Sequence, residues 1–161
     1  MPLCRVLDER QSVYVDRHFP QTLSKADGYR YRVILGVGGN IGDTRRRMNH
    51  LWHYLGKLPQ ICRIQSGVIL KNPPFGFHEQ NDFDNTVIEI ATSLQPRALL
   101  RLIWRIEKRF GRCRSFANAP RTLDLDILFF ENYKVRTKEL TIPHPHWSER
   151  LSVTIPLESL A

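Results

Sequence analysis

The feature that most constrains this sequence is an apolar run over residues 120–130 that two carboxylates interrupt at alternate positions. Its length and apolar content predict a strand, and a strand places residues i and i+2 on one face, roughly 6 to 7 Å apart. Asp124 and Asp126 are therefore expected to project from the same face. The apolar residues that follow them favour a core strand over an edge strand whose acids merely face water.

Two like charges on a buried strand are costly unless water, a metal ion or a base compensates them. Seven basic residues lie close to this run: Arg101, Arg105, Lys108, Arg109, Arg112, Arg114 and Arg121. We interpret Arg101, Arg105 and Arg109 as a solvated helix face. The other arginines flank the helix end and the acidic strand, an arrangement that suits transfer of phosphorylated groups, because Mg²⁺ takes oxygen ligands and phosphate takes bidentate guanidinium.

The chain has 161 residues and a formal charge of +8, which predicts one compact domain and an anionic partner. Charge alone leaves nucleic acid, a membrane surface and a polyphosphate open. Cys4, Cys62 and Cys113 are odd in number and widely spaced, so they indicate neither a disulfide framework nor a zinc site. A reducing cytoplasm fits, since residues 1–10 lack the apolar core of a signal peptide and no run is long enough to span a membrane.

Periodicity predicts the order βαββαβ from Tyr31 onward. The predicted strands cover residues 31–37, 61–70, 85–92 and 120–130, the helices run from Asp43 or Thr44 to Leu58 and from Pro96 to Gly111, and a short last strand lies near residues 153–157. This order predicts an α+β, ferredoxin-like two-layer sandwich with an additional C-terminal strand. Residues 1–30 form an N-terminal extension whose order the pattern does not determine, and residues 31–161 form the main domain.

Other motifs are ambiguous when taken alone. The glycine-rich turn at residues 38–43 lacks the spacing of known phosphate loops. His144, His146 and Arg150 could be ligands, substrate contacts or surface groups. Around the proline-containing loop at residues 71–80, aromatic rings and amides would suit a flat heterocycle, and they would suit a loop packed on the core nearly as well: Asn72, Phe75, Phe83 and Asn85.

Six segments, residues 38–43, 72–76, 80–85, 111–114, 120–127 and 140–145, carry motifs in a characteristic order and spacing. In these motifs the chain resembles the 6-hydroxymethyl-7,8-dihydropterin pyrophosphokinase family. The resemblance covers residues 31–161, which it makes the catalytic domain, and leaves residues 1–30 outside. It implies transfer of pyrophosphate from ATP to the pterin hydroxymethyl oxygen, giving AMP, in folate biosynthesis.

The resemblance also implies a role for each matching residue. Asp124 and Asp126 would hold two Mg²⁺ ions and, with Arg112 and Arg121, would be catalytic. The positions that match ATP contacts are Glu107, Arg112, Arg114, Arg121, Ile127, Thr141, His144 and Arg150, and those that match pterin contacts are Asn72, Phe75, Phe83 and Asn85. The expected partners are small molecules only, with no nucleic acid or membrane, and the expected form is a cytoplasmic monomer.

Two departures from the family pattern stand out. Asn118 and Ala119 replace a usual Trp-Gly pair, and Ser152 replaces a usual aromatic residue, which leaves Phe83 as a single stacking face unless Phe75, Phe77 or Trp147 compensates. Two other classes of function are compatible with the charge and the acidic pair: an RNA-binding module of the same topology and a two-metal nucleotidyltransferase.

Overall fold

The computed structural model describes residues 3–7, 11–23, 27–74, 79–112 and 120–161. Within them the strands are β1 Leu3–Val6, β2 Ser12–Val15, β3 Gln21–Thr22, β4 Tyr31–Gly39, β5 Ile61–Ser66, β6 Ile69–Asn72, β7 Phe83–Thr92, β8 Asp124–Phe130, β9 Val135–Arg136 and β10 Thr141–Ile142. The helices are α1 Thr44–Leu55, α2 Pro96–Arg109 and α3 Leu151–Glu158, with a short 3-10 turn at Trp147–Glu149.

The fold is α+β, as predicted, and its main sheet is built from antiparallel pairs. The strand order is β1-β2-β6-β7-β4-β8, with β5 also paired to β7, and β3 paired to β5. The long strand β4 lies between β7 and β8. Strand β8 has a bulge at Leu128. Ile127 pairs with Leu35 of β4 and Phe129 pairs with Ile34, so Leu128 has no partner in the β4–β8 register. The acidic strand β8 is thus the outermost strand at one end of the sheet. The prediction of a core strand is wrong about its place in the sheet, although its apolar residues are buried because helices cover both faces.

Helices α1 and α2 cover one face of the sheet, and their apolar stripes explain why. The fully buried residues of α1 are Met48, Leu51, Trp52 and Leu55, and those of α2 include Leu99, Leu102, Ile103 and Ile106. These stripes pack against alternate residues of β4, β7 and β8 in one apolar cluster. In the described part of the chain, no helix has both the length and the apolar content needed to cross a bilayer.

The ends of these helices follow local chemistry. The Asp43 side chain caps α1 by accepting a hydrogen bond from the Arg46 N–H at 3.1 Å. Helix α1 ends at Leu55, three residues before the predicted end, and the Gly56 N–H bonds back to the Trp52 carbonyl. Helix α2 begins at Pro96, where a proline is tolerated because the first N–H of a helix has no intrahelical acceptor.

The predicted last strand near residues 153–157 is wrong, because this segment is the helix α3. Val153 of α3 packs with Val87 and Leu128 on the face of the sheet opposite α1 and α2. Its β-branched residues suggest a strand, but burial against this second face favours a helix, and tertiary packing overrides weak propensity. The sheet is therefore covered on both faces, which gives a third layer in place of the predicted two.

The single strand predicted for residues 61–70 is also wrong, because β5 and β6 are separate. They are separated at Gly67, where the N–H bonds to the Val87 carbonyl at 2.9 Å, and at Val68, whose N–H bonds to Ser159 Oγ at 3.0 Å. A Cβ atom on Gly67 would meet the Pro156 carbonyl oxygen at 2.7 Å. The close approach of the end of α3 therefore explains why the chain bends at a glycine here.

Candidate active site

The structure places Asp124 and Asp126 on the face of β8 that also carries Leu128, opposite the face that packs on α2. This is the common face expected from the two-residue period of a strand. Both carboxylates line one cavity, here called the first cavity, on the α3 side of the sheet. Neither acid is fully exposed, so the chemistry around each one decides its charge.

Two arginines bind the carboxylate of Asp124. The Arg112 guanidinium contacts Oδ1, and Arg121 Nη1 donates to Oδ2 at 2.9 Å. Arg112 Nη1 also donates to Glu107 Oε2 at 2.9 Å, and the same Glu107 oxygen accepts a hydrogen bond from the Leu125 N–H at 2.9 Å. Glu107, only 3 % exposed, therefore joins the end of α2 to the acidic strand through one arginine and one backbone amide.

The two carboxylates differ in pKa, because in the described part of the chain only Asp124 forms ion pairs with arginines. Burial raises the pKa of Asp124, but Arg112 and Arg121 outweigh that effect and hold the pKa below its usual value. For Asp126, burial together with the neighbouring charges of Asp124 and Glu107 raises the pKa to about 7. No ion pair of Asp126 is found among the described residues. Of the two acids, Asp126 is thus the one without an ion-pair partner in the described part of the chain.

A second cavity lies along the outer edge of β8. Its walls come from α2, β8 and the segment around β10, and its volume is about 590 Å³ against about 120 Å³ for the first cavity. Asp126 and His144 line both cavities. Two ligands, one in each cavity, would therefore meet at these two side chains.

The outer edge of β8 presents backbone groups to the second cavity. The Leu125 N–H points away from β4 toward Glu107. Because N–H groups alternate along a strand, the N–H of Ile127, two residues later, faces the same outer edge. Ile127 and Thr141 line this cavity on opposite sides of the gap between β8 and β10, together with the cations Lys108, Arg112 and Lys138.

His144 is held in one orientation by its neighbour. Its Nδ1 lies 2.7 Å from the Pro145 carbonyl oxygen, which can only accept, so Nδ1 carries the proton. Burial and the nearby charge of Arg150 lower the pKa of His144, although the hydrogen bond to Pro145 opposes the shift. The neutral ring therefore presents Nε2 as a hydrogen-bond acceptor near the junction of the cavities. Arg150 itself lies at the rim of the first cavity.

The other end of the first cavity is neutral and built from amides. Asn85 Nδ2 donates to Asn72 Oδ1 at 2.6 Å, which fixes the two amides relative to each other. Asn85 lies directly over Gly38 of β4, where a Cβ atom would overlap its Oδ1. The glycine is required because only a residue without a side chain leaves room for this amide.

The ring of Phe83 lies beside these amides and faces Arg121. The Arg121 guanidinium carbon is 5.3 Å from the ring centroid, within the range of a cation–π contact. Arg121 thus touches both Asp124 and the aromatic residue of the neutral end. Ser152 and Val153 of α3 line the cavity as well.

Asn40 joins three segments of the site, and sequence reasoning missed it. Its Nδ2 donates to Gln80 Oε1 at 2.8 Å and to the Asn81 carbonyl at 2.9 Å, while its Oδ1 accepts from the Arg121 N–H at 3.0 Å. The Asn40 N–H also donates to the Arg121 carbonyl. Asn40 is 4 % exposed. No local pattern could have shown this role, because its partners lie 40 and 81 residues away.

The remaining candidates from the sequence either fall outside the described residues or lie away from the two cavities. Phe75 and Arg114 fall outside the described residues, as do Phe77, Asn118 and Ala119. Trp147, a candidate for a second stacking ring, packs edge-on against Phe129 with ring centroids 4.9 Å apart. His146 is exposed and pairs with Glu149 at 3.0 Å. It lines neither of the two cavities.

The acidic pair offers part of the donor set that a metal ion needs. Among residues that the structure describes, no group of three or more His, Cys, Asp and Glu side chains has the arrangement of a metal site. Asp124 and Asp126 nevertheless offer carboxylate oxygens on one face. Burial, and then the charges of Asp124 and Glu107, raise the pKa of Asp126, and a bound cation would lower that pKa again. Such a pair fits Mg²⁺, which is bound through one or two carboxylates and otherwise keeps water or substrate phosphate as ligands.

Comparison with known proteins gives one consistent result. Residues 34–161 match the family model described as 7,8-dihydro-6-hydroxymethylpterin-pyrophosphokinase. A relative from Helicobacter pylori is 40% identical over 149 residues, which is 91% of this chain and 91% of the relative. A relative from Campylobacter jejuni is 38% identical over 88% of this chain and 90% of its own. Both are named 2-amino-4-hydroxy-6-hydroxymethyldihydropteridine pyrophosphokinase.

Related segments also occur in longer proteins. The chain is 34% identical over 78% of its length to part of the bifunctional protein FolKE of Lactococcus lactis, where the match covers 36% of the relative. In the folic acid synthesis protein FOL1 of Dictyostelium discoideum, the match is 35% identical and covers 19% of that protein.

Proposed function

This chain belongs to the 7,8-dihydro-6-hydroxymethylpterin-pyrophosphokinase family, and on that premise we propose that it transfers pyrophosphate from ATP to 6-hydroxymethyl-7,8-dihydropterin in folate biosynthesis. The pterin hydroxymethyl oxygen bonds to the β-phosphorus of ATP, the bond from that phosphorus to the oxygen bridging to the α-phosphorus breaks, and the hydroxyl proton is lost. The products are AMP and the pterin diphosphate.

The meeting of two cavities at Asp126 and His144 is the observation that carries this proposal. A transfer between two substrates needs both to be bound at once with their reacting atoms adjacent, because positioning removes much of the entropic barrier. The first cavity takes the pterin and the second takes ATP. The transferred group then lies at the junction, beside the carboxylates.

In the first cavity the neutral end recognises a flat heterocycle. Asn72 and Asn85 supply amide donors and acceptors to the pterin edge, and the Phe83 ring supplies a stacking face. Glycines 36 and 38 form a floor without side chains. Phe75 is kept as a pterin contact from the family resemblance alone.

In the second cavity the ATP nucleoside lies along the edge of β8. The Ile127 N–H and Thr141 face the base and sugar, and Glu107 lies nearby while it holds Arg112. Arginines then bind the triphosphate because guanidinium matches phosphate geometry. The proposed phosphate contacts are Arg112, Arg121 and Arg150, with Arg114 implied by the resemblance. His144 joins them only when phosphate charge brings a proton to Nε2, since the neutral ring presents an acceptor there.

Asp124 and Asp126 hold the Mg²⁺ ions, two in number by the resemblance. When bound, the metal supplies positive charge that polarises the phosphates and the hydroxyl. The protein determines where that charge would lie, because Arg112 and Arg121 hold the Asp124 carboxylate in position from two sides. Burial, with the nearby charges of Asp124 and Glu107, raises the pKa of Asp126 to about 7, so a cation bound there would replace a proton near neutral pH.

We also propose a ferredoxin-like topology for residues 31–130, supported by the antiparallel order of β6, β7, β4 and β8 and by the two helices on one face. The proposed working form is a cytoplasmic monomer that binds small molecules and neither nucleic acid nor membrane. The monomer is supported by the fact that residues of a single chain line both cavities. Sedimentation of the purified protein would test the monomer.

The decisive experiment measures the products from ATP. Purified protein with Mg²⁺ and 6-hydroxymethyl-7,8-dihydropterin is expected to release AMP and to release none when either component is omitted. A nucleotidyltransferase would instead release pyrophosphate, and an RNA-binding module would turn over no ATP. AMP release that does not depend on the pterin would contradict the proposed function.

A further inference from the structure

Strand β6 is covered on its outer side by the N-terminal segment. We call residues 3–23, as far as the structure describes them, the N-terminal arm. In the arm, β2 pairs with β6 through Ser12 and Lys71, Val13 and Leu70, and Tyr14 and Ile69. Without the arm, the four residues of β6 would form an unpaired edge directly before Pro73 and Pro74, which have no N–H to continue a ladder.

The end of β6 carries a residue of the pterin cavity. Asn72 pairs with Phe83 in the β6–β7 ladder, and its side chain accepts the hydrogen bond from Asn85. Asn72 is only 4 % exposed and follows Lys71, the last residue of β6 that pairs with the arm. Fraying of β6 would therefore move the Asn72 side chain and free the Asn85 amide from its orientation.

The arm is fixed to the rest of the fold at its other end. Phe19 is fully buried with its ring 5.9 Å from that of Trp52 in α1. Trp52 Nε1 donates to Gln21 Oε1 at 2.9 Å, and the Gln21 N–H donates to Ser66 Oγ of β5 at 2.9 Å. Because this anchor packs on α1 and β5, the arm connects the core to β6.

The Tyr14 ring of β2 provides a further contact. The Arg45 guanidinium carbon lies 4.5 Å from the ring centroid, and Asn49 Nδ2 donates to Asp16 Oδ2 at 3.2 Å. Both partners lie in α1, so β2 is held in place by a helix on the core side as well as by its own ladder. A strand held in this way can in turn restrain β6.

We propose that the N-terminal arm is a positioning element of the pterin cavity, an inference that rests on the proposed function. The arm touches no substrate. By pairing with β6 it keeps Asn72 and Asn85 in the geometry that binds the pterin edge, and it leaves the ATP cavity, at the far end of the sheet, unaffected. Preorganisation of this kind raises affinity by lowering the cost of ordering the site on binding.

The test compares two proline substitutions in the full chain. The Leu7 N–H donates to the Gln11 carbonyl, so by alternation the Ser12 N–H faces β6, where it pairs with Lys71, and the Val6 N–H faces away from β2. Ser12→Pro therefore removes a bond to β6, whereas Val6→Pro lies in the outermost strand at a position where proline is tolerated. With a non-hydrolysable ATP analogue present, Ser12→Pro is expected to raise the Kd for 6-hydroxymethyl-7,8-dihydropterin by about tenfold, as for one or two hydrogen bonds losing their geometry. The nucleotide Kd should be unchanged in both variants, and the pterin Kd unchanged in Val6→Pro.

Each other outcome overturns the inference. An unchanged pterin Kd in Ser12→Pro would leave the arm with a role in stability alone. Equal losses for pterin and nucleotide would indicate general loosening, and equal losses in the two variants would exclude a specific effect through β6. A parent protein that binds no pterin at all would overturn the proposed function first, and so the two failures are distinguishable.

Hydrogen exchange in the parent protein provides an independent test if Ser12→Pro does not fold. Pterin added with the ATP analogue is expected to slow exchange in β2, which the ligand does not touch, as well as in β6. Slower exchange in β6 with unchanged exchange in β2 would show that the arm is not coupled to the cavity, and would overturn the inference.

Discussion

The charged end of the site and its neutral end are held together by different forces. At the charged end, Asp124, Asp126 and two arginines interact through Coulomb forces, which fall off slowly with distance. At the neutral end, Asn72 and Asn85 interact through one short hydrogen bond, which weakens steeply when its angle changes. The charged end should therefore tolerate small movements but no change of charge, whereas the neutral end depends on backbone position.

The largest effect is expected from removing one carboxylate charge while keeping its shape. Asp124→Asn or Asp126→Asn should leave the fold intact and lower kcat by on the order of a hundredfold or more, because each removes a charge that the proposed Mg²⁺ ions would need. Steady-state turnover of the purified variants at saturating Mg²⁺ provides the measurement. Near-normal turnover would contradict the assignment of the charged end.

A smaller loss is expected for a single arginine. Arg121→Ala should lower kcat/KM for ATP by roughly 10-fold to 150-fold, corresponding to about 1.5 to 3 kcal/mol for a charge-assisted contact. Arg101→Ala, which removes an exposed arginine from α2 remote from the carboxylates, is the matched control and should change little. If Arg121→Ala matched this control, Arg121 would be only a structural partner of Asp124.

At the neutral end, Phe83→Ala should raise the pterin Kd by about tenfold, through the loss of offset stacking and buried ring area. The nucleotide Kd should stay the same. Trp147→Ala is the control, because that ring packs on Phe129 and should not contribute to stacking in the cavity. Pterin titration with a non-hydrolysable ATP analogue measures both. If Phe83→Ala bound the pterin as tightly as the parent protein does, the assignment of the first cavity to the pterin would be wrong.

The smallest effect is on stability without metal, and it has opposite signs for the two acids. The pKa of Asp126 is raised to about 7 in the folded state, so its ionisation destabilises the fold as pH rises from about 4 through 7. In EDTA at pH 8, Asp126→Asn should therefore melt a few degrees above the parent. Thermal unfolding at pH 5 and pH 8 measures the difference, which should shrink at pH 5.

Asp124→Asn should behave in the opposite way. The lowered pKa of Asp124 contributes stability that is present above its unfolded pKa and is lost as pH falls through the folded pKa. The substitution also leaves Arg112 and Arg121 without their carboxylate. This variant should melt below the parent at pH 8 and approach it in acid. Equal shifts for the two variants would show that the two acids share one environment.

Much of this arrangement was predictable because it is local. The two-residue period of β8 predicts the common face of its acids, and the apolar stripe of α2 predicts its buried face. The α3 segment shows the limit. Val153 and Ile155 favour a strand by propensity, but the second face of the sheet needed covering, and no local pattern contains that information.

The candidate site could also be predicted only where its signals are local in the sequence. Motifs identify Asp124 and Asn85 one by one, but the difference in pKa between the acids depends on which of them the arginines reach in three dimensions. Asn40 shows this most clearly, since its hydrogen bonds to Gln80 and Arg121 join segments that are distant in sequence. Sequence alone showed it only as part of a glycine-rich turn.

The pairing of the first strands with later ones has a consequence for biosynthesis. Strand β2 pairs with residues 69–71, and β4 pairs with β8 from Val33 to Phe130, so the sheet is built from contacts between distant parts of the chain. Such topologies fold slowly, because long loops must close before the contacts form. As the chain leaves the ribosome, β4, with its buried Val33, Leu35 and Val37, must wait for β7 and β8, and in that interval it is exposed to aggregation.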